Sequence, residues 1–135
     1  MNMKRFWLIL LGFALALSVA ACQSKDGVLR ISDAYMAFDE IGEYPTKVYA
    51  PADIFYCIVT VLDAPEEGAS LKAIWYAVNA KGIAGNTVID EIEITTEDAV
   101  VPFILRNEGP WPTGSYKVEI YLNGELDRTI RFKVK

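Results

Sequence analysis

Histidine does not occur in this chain of 135 residues, and cysteine occurs only as Cys22 and Cys57. The first absence removes the commonest acid-base side chain, and with it Ser-His-Asp and Cys-His mechanisms, the usual catalytic zinc sets and any histidine pH switch. The second excludes a framework of several disulfides. A Gly-rich phosphate loop is missing as well, and Ser24, Ser32, Ser70 and Ser115 stand outside any nucleophile-elbow or Ser-x-x-Lys context, Lys72 lying two residues after Ser70 rather than three. Basic residues are outnumbered, 13 Lys and Arg against 18 Asp and Glu, which argues against nucleic acid as a partner. No hydrophobic run is long enough for a permanent membrane span. Phe6 to Val19, about 14 residues, reaches roughly 21 Å as a helix, against a hydrocarbon core about 30 Å thick.

That short run is nevertheless informative because of what flanks it. Lys4 and Arg5 precede it, and Val19-Ala20-Ala21-Cys22 closes it. Small residues there also suit an ordinary secretory signal cut near Ala20 or Ala21, but the cysteine directly after them, one of only two, favours a more specific reading. The segment resembles the signal of a bacterial lipoprotein, with the lipobox over Val19 to Cys22. The resemblance implies a cleavable apolar signal helix over residues 1–21, lipidation of Cys22, and a domain held on the outer face of the cytoplasmic membrane, or on the periplasmic side of a two-membrane envelope. Two or more acyl chains, at about 0.8 kcal/mol per buried methylene, anchor firmly. Removing Lys4 and Arg5 with the signal takes the net charge from −5 to −7, so anionic head groups repel what remains. Residues 22–27 then form the lipidated cysteine and a short tether, whose five residues after Cys22 extend roughly 17 Å.

Residues 28–135 have the length of one domain and no internal repeat. Apolar and β-branched runs alternate with turn signals, which predicts an all-β fold with strands at Val28–Phe38, Ile54–Leu62, Leu71–Asn79, Thr87–Ile94, Val100–Arg106, Ser115–Leu122 and Leu126–Val134. About seven short antiparallel strands in a chain of this size make a sandwich. Pro102 cannot donate to a ladder, so its strand belongs at an edge or carries a bulge. Tyr116, Val118, Ile120 and Leu122 alternate with polar neighbours, as do Leu126, Ile130, Phe132 and Val134. Keeping all of these on one face predicts a three-residue loop of Leu122, Asn123 and Gly124, pairing Ile120 with Leu126 and Tyr116 with Ile130.

Gly114-Ser115-Tyr116-Lys117-Val118 resembles the tyrosine-corner segment of immunoglobulin-like domains, and Cys57 and Trp75 fall mid-strand as the core cysteine and tryptophan of that family do. The resemblance implies a single immunoglobulin-like β-sandwich whose fold-defining core includes Cys57, Trp75, Tyr116 and Val118. Val118 stands where the family has its second cysteine, so no disulfide joins the sheets. Cys57 is expected to fill space as a small hydrophobe, a reactive thiol being the alternative.

No cofactor motif is present. Asp90, Glu91, Glu93, Glu97 and Asp98 are dense enough to raise the question of calcium, but their strand spacing suits a solvated edge better than a metal site. Paired carboxylates for a small hydrolase stay open, with little room for a cleft. Binding is the stronger expectation. With Trp75 inward, Ile74, Tyr76 and Val78 point outward, as does Tyr121 on a strand that neighbours theirs in immunoglobulin-like sandwiches. Together they form a candidate surface for an envelope protein partner, unless the Ala80–Asn86 loop or neighbouring segments cover it. Trp111, between Pro110 and Pro112, either joins a binding surface, for a partner or a carbohydrate, or plugs the end of the core.

Overall fold

The computed structural model describes residues 27–135, so the expected signal helix, the expected lipobox and Cys22 lie outside the described residues. Eight strands run in order: β1 Arg30–Ala37, β2 Val48–Tyr49, β3 Phe55–Leu62, β4 Ala69–Ala80, β5 Thr87–Thr96, β6 Val100–Leu105, β7 Gly114–Leu122 and β8 Glu125–Val134. They form two sheets, ordered β1-β3-β6 and β2-β8-β7-β4-β5. The seven expected strands are all present, each end within three residues of its predicted position. β2 is additional. It spans two residues between Pro45 and Pro51, too short for periodicity to register, and it runs parallel to β8, so not every pairing is antiparallel.

Alternation decides which residues meet between the sheets. Phe55, Cys57, Val59 and Val61 of β3 face Leu71, Ala73, Trp75 and Ala77 of β4 and Tyr116, Val118 and Ile120 of β7, all buried. The end of the core near β2 is aromatic, with Phe55 stacked on Trp111 at 4.5 Å and set edge-on to Phe132 at 4.8 Å. The indole N–H of Trp75 is buried without a hydrogen-bond partner among the described residues, so packing alone holds that ring. Pro102 sits on β6, an edge strand, as its missing donor requires.

The β7–β8 hairpin departs from the predicted register. Leu122 pairs with Glu125 across a two-residue turn, with Asn123 at φ 49° and Gly124 at φ 84°. Two consecutive positive φ values suit Asn-Gly and match the twist of the flanking strands. The phase is restored by a bulge: Tyr121 pairs with Leu126 but Ile120 with Arg128, leaving Asp127 as the extra residue. Ile130, Phe132 and Val134 therefore still face inward, opposite Val118, Tyr116 and Gly114. Leu126 does not. It lies beside Tyr121 and is 51% exposed, correcting its predicted place on the core face. Arg128, brought round by the bulge, donates from Nη2 to the Ile31 carbonyl of β1 at 2.9 Å and ties one sheet to the other.

Candidate functional site

Each member of the predicted core constellation is buried. Cys57, Trp75 and Val118 are fully enclosed, and Tyr116 places its ring inside while its hydroxyl donates to the Pro112 carbonyl four residues upstream, the bond that defines a tyrosine corner. Burial pushes the Cys57 thiol up to about 12, so it stays protonated and packs as a hydrophobe, the inert of the two readings for this residue.

Trp111 is taken out of the candidate surface. It is 5% exposed, and its indole N–H donates to the Asp53 carbonyl at 2.9 Å. A proline on each side fixes the loop, and the backbone N–H of Trp111 donates to the Pro51 carbonyl at 2.7 Å, so the side chain plugs the aromatic end of the core. A buried ring has no face to offer a sugar or a partner.

The other four candidates share one face. β4 and β7 are hydrogen-bonded neighbours, and Ile74, Tyr76, Val78 and Tyr121 sit half-buried on the outer side of the five-stranded sheet. Lysine covers the two rings. Lys117, paired with Tyr76 across the strands, holds Nζ 4.6 Å from that ring's centre, and Lys72, paired with Tyr121, does the same at 4.6 Å. Carboxylates complete the arrangement, with Lys72 near Glu91 at 3.7 Å and Lys117 near Glu119 at 3.9 Å. The neighbouring Glu119 carboxylate pushes the Tyr76 hydroxyl up to about 12, since losing its proton beside that negative charge is unfavourable. The surface is amphipathic, with aromatic faces beneath cationic heads.

A bulge in β4 enlarges it. Ala77 pairs with Tyr116 and Asn79 with Ser115, leaving Val78 as the extra residue, so Val78 and Asn79 stand together on the outer side. Beside them a groove of about 500 Å³ opens toward β2, lined by Val48, Val78, Lys47, Arg131 and Lys133. No single stretch of sequence announced this groove, because it is assembled from β2, β4, β7 and β8. The one local signal is the alternation of Arg131 and Lys133 along β8, continued by Lys135 just beyond it, which also suits a plainly solvated face.

The acidic residues do not assemble a metal site. Asp90, Glu91 and Glu93 spread along β5, Glu97 and Asp98 fall in the turn after it, and no group of three or more potential ligands converges among the described residues.

No protein-family model matches the chain, and no curated protein matches it. Among solved structures it is similar to an immunoglobulin-like protein from Pseudomonas aeruginosa, 13% identical with a TM-score of 0.57, over 83% of this chain and 100% of that one. It is also similar to an alkylpurine DNA glycosylase of Pseudomonas fluorescens, solved bound to DNA containing an abasic site analog. That match is 11% identical with a TM-score of 0.50 and covers 79% of this chain but 30% of the glycosylase. A β-glucosidase from Listeria innocua, solved with glucose, matches at 14% identity and a TM-score of 0.49, over 79% of this chain and 16% of that one. At such identities the first two likenesses are of fold alone.

Proposed function

We propose that the described domain, similar in fold to an immunoglobulin-like protein, is the extracytoplasmic part of a lipoprotein, anchored through Cys22, that binds a protein of the cell envelope and catalyses no reaction. The observation that carries this reading is the outer face of β4 and β7, where Ile74, Tyr76, Val78 and Tyr121 gather under Lys72 and Lys117. Aromatic rings with cations above them and aliphatic residues between suit the centre of a protein interface, where aromatic residues are enriched. The apolar signal and the lipobox at Val19 to Cys22 support the anchor.

A photo-crosslinking residue at position 121, expressed in intact cells, tests the interface. The expected result is one defined protein adduct, lost when Ile74→Asp is added in the same chain. Capture of no protein, or an adduct indifferent to Ile74→Asp, overturns the reading. Cys22→Ser tests the anchor. The variant should leave the membrane fraction or accumulate unprocessed, and mature protein still on the membrane would refute lipid attachment.

A further inference from the structure

Four basic side chains, Lys47, Arg131, Lys133 and Lys135, border the groove over Val48 and Val78, and among the described residues no acidic side chain lines it. That runs against the composition of a chain in which acids outnumber bases 18 to 13. All four are exposed, and among the described residues none lies within 4.0 Å of a carboxylate, whereas Arg30, Lys72, Lys117 and Arg128 each do. Like charges gathered without counter-charges repel one another and favour an anion between them. We propose that the groove binds an extended acidic segment of a partner protein, one in which carboxylate and apolar residues alternate; this rests on the reading of the domain as a protein-binding module.

Spacing and chemistry together select that occupant. Arg131 and Lys133 are alternate residues on β8, so their side chains recur on one face about 6.7 Å apart, and Lys135 follows directly after the strand. An extended peptide repeats its own alternate side chains at the same interval. Apolar residues turned down meet the floor of Val48 and Val78, while carboxylates turned up meet the ammonium and guanidinium heads at the rim, where Arg131 can grip one with two parallel hydrogen bonds. Ser115 and Asn79 at the inner wall supply a hydroxyl and an amide for the peptide backbone. A phosphate polymer would satisfy the rim but gain nothing from the floor. The floor therefore favours protein.

The test uses the full chain in detergent and a fluorescein-labelled octapeptide alternating Glu and Val, read by fluorescence anisotropy. Saturable binding should weaken as salt rises from 25 to 150 mM. Lys133→Glu and Arg131→Glu should each weaken it at least tenfold, with unchanged circular dichroism. Arg106→Glu, an equal charge change elsewhere, should leave it within twofold. An octapeptide alternating Glu and Ser should bind at least fivefold more weakly, and tripolyphosphate should compete poorly. Absence of binding, equal binding of the Glu-Ser peptide, or full competition by tripolyphosphate overturns the proposal. A defined crosslink from position 121 alongside any of these failures leaves the protein-binding reading standing and removes only the acidic segment.

Discussion

Trp111 lies flat against Phe55, ring centres 4.5 Å apart and planes 18° from parallel, although 56 residues separate them in the sequence. The contact joins the loop before β7 to the first residue of β3, and the Trp111 N–H to Asp53 fixes the ring's orientation. Trp111→Ala should cost about 3–5 kcal/mol by opening a cavity beside Phe55. Urea unfolding measures the loss. In the native protein, acrylamide should barely quench Trp111 and soluble oligosaccharides should not quench it; strong quenching by either would mean the ring is not a plug.

Tyr116→Phe keeps the ring between Phe55 and Phe132 but strands the Pro112 carbonyl. An acceptor left without its donor in partly buried surroundings costs about 1–3 kcal/mol. For a domain of about 110 residues each kcal/mol lowers the melting temperature by roughly 4 °C or more, so a scan resolves the change. A melt identical to wild type would show that the corner contributes nothing to stability.

Alkaline pH should unfold the domain. The Cys57 thiol is held up to about 12 by burial, against an ordinary 9.0, so between those values the unfolded chain has lost a proton that the native chain keeps. Stability from this group is complete below about pH 9 and falls by about 1.4 kcal/mol per pH unit above it, until native Cys57 titrates near 12. Burial raises Tyr49 and Tyr116 as well, which adds losses of the same sign above pH 10. Denaturant midpoints at pH 7, 9 and 10.5 check the course, and Cys57→Ala should flatten part of it. At neutral pH a thiol reagent should modify Cys57 only when urea is present.

Gly124→Ala tests the hairpin. At φ 84° a β-carbon is strained, which costs about 1 kcal/mol, and the open space around this glycine means no clash adds to it. A three-residue loop with Gly124 in a left-handed bulge would also resist alanine, so stability alone does not identify the turn. Cross-strand NOEs from Leu122 to Glu125 and from Ile120 to Arg128 do. A contact from Ile120 to Leu126 in their place would restore the register expected from the pattern.

That hairpin shows where sequence legibility stops. Alternation in Tyr116–Leu122 and Ile130–Val134 locates both strands and their buried faces, because a half-buried sheet imposes period two. The turn between them follows from Asn123-Gly124. The bulge at Asp127 is invisible, since one extra residue changes the phase without a compositional signal, and a longer loop explains the same alternation equally well. β2 is too short to have a period. At the candidate site, the outward set on β4 and β7 is readable once Trp75 is placed inside. The covering lysines and the groove are not, because they depend on which strands become neighbours and on the bulge at Val78.

Among the described residues β5 ends its sheet, with no strand paired along its outer row of backbone groups. A flat edge of this length invites a second molecule to continue the ladder. Here a bulge at Ile89 breaks the run, placing Asp90 opposite Trp75, and Glu91 and Glu93 follow within three residues. Two such edges brought together would press carboxylate against carboxylate along an interrupted ladder. The acidic stretch that raised the question of calcium is thus expected to oppose pairing of this edge with the same edge of a second copy.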